Sequence, residues 1–250
     1  MREISRNTTG HGPRLSRLVA FGAITAFFFL VFCGLGVWQI ERLSWKLDLI
    51  ARVDQRVHMP AAPVPQEAQW PLVNAERDEY RHVSVEGHFL HDKEALVYAS
   101  TERGPGYWVM TPLQTTNGAI VFINRGYVPL DRKEPASRAE GQVAGEVTVI
   151  GLLRITEPKG TLLRSNDPKD GRWYSRDVIA MGAQAGLDHV APFFVDADAT
   201  PNPGGFPVGG LTVVSFRNSH LSYALTWFAM ALLSLVGGAI LVRSEVKRAV

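Results

Sequence analysis

Two short stretches hold the residues of this chain whose types and spacing could do chemistry. In the first, Trp38, Arg42 and Trp45 fall at i, i+4 and i+7, and Gln39, Arg42 and Lys46 at i, i+3 and i+7. On a helix these spacings put aromatic and cationic groups on adjoining faces. In the second, His220, Tyr223, Ala224 and Trp227 share one helical face, with Arg217 and Asn218 just before it. Neutral imidazole is a common axial ligand to haem iron. Small Ala224 would admit a planar group, and Arg42, Lys46 or Arg217 could pair with propionates. The plainer reading is that Trp and Tyr belts flanked by cations are ordinary at a bilayer surface, with Asn218 capping a helix. The residue types alone leave both readings open.

The elements that must position these residues are two apolar runs. Residues 18–40 and 220–242 are each long enough, at ~1.5 Å per helical residue, to cross a ~30 Å hydrocarbon core. The first is too long for a signal-peptide core, which runs only ~7 to 15 residues. Cys33, the only cysteine, lies inside it, which excludes an internal disulfide and any CxxC pair. The tails 1–17 and 243–250 are basic, carrying Arg2, Arg6, Arg14 and Arg17, then Arg243, Lys247 and Arg248. Removing these seven from 26 basic residues leaves 19 against 22 acidic ones in between. By the rule that short basic segments stay cytoplasmic, both termini are expected inside and residues 41–219 outside, in a cytoplasmic (inner) membrane. No basic stripe interleaved with aromatics suggests nucleic acid.

Between the runs the pattern changes three times. Ile40, Leu43, Leu47, Ile50 and Val57 keep a three/four spacing among charged residues, predicting an amphipathic helical extension over 41–57. Residues 58–79 carry Pro60, Pro63, Pro65 and Pro71 and read as a stiff extended linker. From Tyr80, short Val-, Ile- and aromatic-rich runs separated by turn residues predict strands at 80–89, 95–100, 107–113, 119–124, 146–155, 173–174 and 193–195. Asn117-Gly118 marks a hairpin. A short helix is expected over 178–186 and a last strand over 211–216, after the Pro- and Gly-rich stretch 201–210. The fold expected for 80–219 is a mainly antiparallel, barrel-like β domain with small helical insertions, flanked by the two transmembrane helices.

Catalytic patterns are scarce. His88 and His91, the closest histidine pair, would point to opposite faces of a strand. The sequence contains no HExxH, GxSxG or phosphate-binding glycine loop.

LGVWQIERLSWK (residues 35–46), FINRGYVP (122–129) and NSHLSYALTWF (218–228) closely resemble signature segments of the Surfeit locus protein 1 family, assembly factors for haem-copper cytochrome c oxidase. Tyr127 stands where that family usually has Trp. The resemblance implies a non-enzymatic chaperone of respiratory-chain biogenesis that binds haem a transiently and assists its insertion into the large catalytic subunit of the oxidase. Haem a synthase is a further implied partner. His220 matches the family's proposed haem-ligating histidine, and Asn124, Arg125 and Gly126 match its central motif, alongside Gln39 and Asn218. The isoprenoid tail of haem a prefers lipid by ~0.8 kcal/mol per buried CH₂, which suits a membrane-anchored carrier. The alternative is a membrane scaffold that stabilises an oxidase subunit and never binds haem. The bland reading of Asn124 to Gly126 is a strand end that turns at Gly126 with Arg125 solvated or paired.

Overall fold

A computed structural model describes residues 13–161, 163–214, 216 and 218–247. The chain divides into two units, one made of the residues up to Ile50 and those from Ser215 onward, the other of Ala51–Val214.

The first unit is a pair of helices, both long and apolar enough to cross a membrane. Helix α1 (Pro13–His58) continues without a break through the predicted span and its amphipathic extension. Helix α4 (His220–Lys247) forms the second. Small residues let them approach: Ala224, Ala231 and Gly238 are the buried positions of α4, spaced every seven residues. A methyl on Gly238 would run into the Thr25 side chain, and one on Gly36 into the Phe228 ring. Phe32 stacks on Trp227 with centroids 5.8 Å apart. Close packing of this kind holds helices together where lipid removes any hydrophobic drive between them. The outward side chains, such as Leu30, Leu232 and Leu233, are more than 60% exposed. Such an apolar surface is stable in lipid and a liability in water.

The second unit is built on one sheet of seven strands, β1 (Ala62–Pro63), β2 (His82–Phe89), β3 (Ala95–Thr101), β4 (Gly104–Thr115), β5 (Ile120–Pro129), β6 (Glu146–Ile155) and β7 (Val190–Ala197). Its order is β1-β2-β6-β7-β5-β4-β3, and β2 also pairs with β4. Strands β2, β6, β7, β5 and β4 therefore close into a five-stranded barrel. All pairings are antiparallel except β1 with β2 and β5 with β7. The β2–β4 seam begins at Gly87 opposite Thr115, where any Cβ would collide with the Gln114 carbonyl. The missing side chain is what allows the seam to close.

Alternation sorts the core into two layers. Val83, Val85, Leu113, Val121, Ile123, Leu153, Phe193 and Val195 pack together in one. Val97, Met110, Ile120, Phe122, Phe194 and Trp173 pack in the other, covered by Val178 and Met181 of α3 (Val178–Ala185). β5 contributes to both layers, and every residue from Ile120 to Val128 is buried. That is why its first half, Ile120 to Ile123, reads as a continuous apolar run rather than an alternating one. The hairpin at Asn117-Gly118 forms as expected: Gly118 has φ +87°, and Thr115 N–H donates to the Ala119 carbonyl at 2.9 Å.

Three expectations are corrected. Residues 211–214 and 216 form no strand; the β-rich composition there is not matched by a free sheet edge, since closure leaves only β1 and β3 as edges. Trp173 makes a single bridge to Val97 in place of a strand. The proline-rich segment does not span open solvent: β1 pairs with β2, Trp70 stands edge-on to Phe193 at 6.4 Å, and α2 (Ala75–Asp78) follows.

Helix α2 is tied to the barrel by Asp78, whose side chain is fully buried. Its carboxylate accepts from Arg81 Nη1 at 2.7 Å, Arg77 Nε at 3.1 Å and Asn74 N–H at 3.1 Å. Burial alone would raise its pKa, but the Arg81 and Asn74 hydrogen bonds and the Arg77 charge outweigh it and hold the pKa below the usual carboxylate range. A depressed folded-state pKa stabilises at neutral pH and loses that contribution as pH falls through it. Thermal melts of the full chain should therefore show stability dropping below about pH 4. Asp78→Asn should cost about 3 kcal/mol at pH 7, the low end for a broken buried pair because both arginines are partly exposed, and should flatten the acid limb.

Candidate functional site

The end of the helix pair nearest His220 gathers the expected residues into a different arrangement from the one their spacing suggests. His220 Nδ1 lies 2.7 Å from Gln39 Oε1, and Gln39 is 8% exposed. With the amide oxygen as acceptor, Nδ1 is the donor of this contact, which leaves Nε2 as the ring nitrogen able to act as a ligand. Asn218 does cap the helix, its Oδ1 accepting from His220 N–H at 3.3 Å. Trp38 and Trp45, one heptad apart on the same face, are half exposed. The Arg42 guanidinium sits 5.0 Å over the Trp45 ring. Lys46, one heptad beyond Gln39, sits 5.0 Å over Phe216. Tyr223 is exposed, while Ala224 is 1% exposed and so closed off instead of open to a planar group. Trp227 is engaged with Phe32. Arg217 lies outside the described residues.

The central motif lies in the barrel. Asn124 and Arg125 are both buried. Asn124 Nδ2 donates to Asp196 Oδ1 at 2.7 Å, and its Oδ1 accepts from Gly126 N–H at 3.2 Å. Gly126 has φ +124°, and a Cβ there would strike the Val208 carbonyl; next to it, Tyr127 and Val208 exchange backbone hydrogen bonds of 2.9 Å. Arg125 Nη2 donates to the Gly141 carbonyl at 2.6 Å and to Asn202 Oδ1 at 2.7 Å. The three residues thus fasten two loops to β5. Tyr127 Oη donates to the Pro105 carbonyl at 3.1 Å, so the ring that replaces the usual Trp is fixed by its hydroxyl.

The sequence pattern of the SURF1 family matches residues 26–232. The chain belongs to the SURF1 family. It is 38% identical to the rat (Rattus norvegicus) Surfeit locus protein 1 over 213 residues, covering 79% of this chain and 67% of that one. The human protein of that name is 36% identical, with 83% and 71% covered. A SURF1-like protein of Monosiga brevicollis is 36% identical, with 81% and 80% covered.

Sequence reasoning missed the polar centre of this SURF1-family barrel. Asp196, 3% exposed, accepts from Asn124, from Arg154 Nη1 at 2.9 Å, from Arg176 Nη1 at 3.2 Å and from Thr212 Oγ1 at 2.8 Å. Arg154 also binds Glu79 at 2.7 Å, and Arg176 binds Glu157. Asn124, Arg154, Arg176, Asp196 and Thr212 border a cavity of about 660 Å³ with Trp108 and Tyr80. One acid and one arginine, each placed straight after an apolar run, were the only local signal: Asp196 follows Phe193-Phe194-Val195, and Arg154 follows Leu152-Leu153. Among the described residues no group of three His, Cys, Asp or Glu could hold a metal ion, and His91 Nε2 is bonded to the Val143 carbonyl at 2.9 Å.

Gly126→Ala should destabilise the barrel by several kcal/mol, since it combines a strained positive φ with a backbone collision. Full-length protein carrying it should melt well below wild type and be cut first by protease within residues 201–210.

Proposed function

We propose that this chain is a non-enzymatic, membrane-anchored assembly factor for haem-copper cytochrome c oxidase that holds haem a through His220 and assists its delivery to the large catalytic subunit. Family membership supports the oxidase role. The observation that carries the haem reading is the hydrogen bond from His220 Nδ1 to Gln39. It presents Nε2, the atom a haem iron requires, and orients the ring as ligating histidines are oriented by a partner on their other nitrogen. Haem would supply the iron for that bond and an apolar tail for the lipid. The chain's own part is to hold His220 against Gln39 between two helices, with Arg42 and Lys46 near enough in sequence to meet propionates. Haem a synthase is the natural donor in this reading.

We place both termini in the cytoplasm and the barrel outside the inner membrane, on the charge split between basic tails and acidic middle. A scaffold that contacts an oxidase subunit without haem is favoured by a different observation, the half-exposed rings of Trp38, Trp45 and Tyr223.

Alkaline phosphatase fused near Glu134 should be active and a green fluorescent protein at Val250 should fluoresce; a stable but inactive phosphatase fusion overturns the orientation. Protein purified from cells rich in haem a should carry haem. His220→Ala should abolish it while the protein stays folded. Gln39→Leu should weaken retention by about tenfold, as loss of a partner to a ligating histidine does. Arg42→Ala should weaken it less, since an exposed cation pair is worth only ~1 kcal/mol. A wild type without haem, or His220→Ala with an unchanged absorption spectrum, sinks the carrier reading and leaves the scaffold.

A further inference from the structure

Among the described residues, three buried side-chain atoms have no hydrogen-bond partner: Arg125 Nη1, Gln142 Nε2 and His91 Nδ1. All three belong to one neighbourhood. Arg125 Nη2 is bonded to the Gly141 carbonyl and His91 Nε2 to that of Val143, so the orphans bracket residues 141–143. The Phe89 ring lies between them, 4.7 Å from the Arg125 guanidinium and 5.4 Å from the His91 ring. Buried polar atoms are rarely left unmatched, and three in one place ask for a ligand.

The charge balance says what kind. The acid nearest to matching Arg125 is Glu94, but Glu94 is paired with Arg138, and both are at most 5% exposed. Arg125 is left without a carboxylate. Desolvation pulls its pKa down to about 10, against the attraction of Glu94 and with the repulsion of Arg138. A buried cation without a counter-ion is expensive, and an anion that reaches it removes that cost.

The walls say what else. Arg125 borders a cavity of about 400 Å³, within the size range of small-molecule sites. It opens where β6 and β7 part company: their register runs only from Gly151–Ala197 to Ile155–Phe193. Beyond that point residues 147–150 form one wall and residues 197–203 the other, with Phe89, Ile123 and Val143 contributing apolar surface. The one acid on the rim, Asp198, is engaged by Thr200 N–H at 2.9 Å.

We propose that this barrel mouth is a binding site for an organic monocarboxylate with a short apolar body, the carboxylate on Arg125 and the body along Phe89, Ile123 and Val149. Asn202 holds Arg125 Nη2 from the cavity rim and is itself anchored, its Nδ2 donating to the Pro207 carbonyl at 2.6 Å. The site is separate from His220 and requires no haem.

The test is calorimetry on the full chain in lipid nanodiscs, with empty nanodiscs subtracted, using hexanoate, its neutral isostere hexanamide, and inorganic phosphate. Hexanoate should bind at least about tenfold tighter than hexanamide, the worth of a charge-assisted hydrogen bond, and phosphate should not displace it. Thr148→Trp, at an exposed rim position, should abolish hexanoate binding without lowering the melting temperature. Arg125→Gln should remove the preference for acid over amide; because Arg125 also tethers two loops, Thr148→Trp carries the test if that variant does not fold. Absence of hexanoate binding, equal affinity for the amide, displacement by phosphate, or undiminished binding to Thr148→Trp would each overturn the proposal.

Discussion

The barrel is organised around one buried carboxylate. Asp196 ends the apolar run of β7 and accepts hydrogen bonds from β5 through Asn124, from β6 through Arg154, from the segment before α3 through Arg176 and from the segment after β7 through Thr212. A charge in that position is tolerable only because every partner is in place. The interaction therefore works as a registry device. The parallel pair of β5 and β7 aligns Asn124 with Asp196, and a slip by one residue would leave the acid facing the apolar layer.

Much of this architecture was legible in the sequence, for identifiable reasons. β6 was read with its observed ends, because Glu146 to Ile155 is bounded by clear turn residues. α3 ends at Gly186 in the left-handed conformation, the usual helix stop. β5 was cut short at Asn124 because polar Asn124 and Arg125 look like a strand end; only the structure shows that both are satisfied inside the fold, so the strand runs on to Pro129. The ends at 211–216 failed for the opposite reason. Apolar, β-branched composition reports a preference for half-buried surface, not the presence of a partner strand. The Asp196 network was illegible because its members come from five separate stretches, joined only by tertiary contact.

At the candidate site the helical spacings put the aromatic and cationic groups on adjoining faces, and the structure places Gln39 against His220. The reason is geometric. A close helix pair admits small or matched groups at its seam, and an indole at Trp38 or Trp45 is too large for a place where Gly36, Ala224 and Gln39 fit. The bulky aromatics are displaced outward to where lipid, headgroups or another protein can take them. The same seam turns a generic interfacial histidine into one with a hydrogen-bond partner across the helix pair.

The topology also dictates an order of events during synthesis. Ile120 pairs with Val190, 70 residues later, so the barrel has no closed intermediate while β5, β6 and α3 are being made; such long-range parallel pairing is slow by nature. Only 22 residues separate the end of β7 at Ala197 from the start of α4 at His220, roughly one to five seconds of translation. A nascent chain that stalls before residue 190 is an open sheet that still lacks β7, the strand that closes it and carries Asp196.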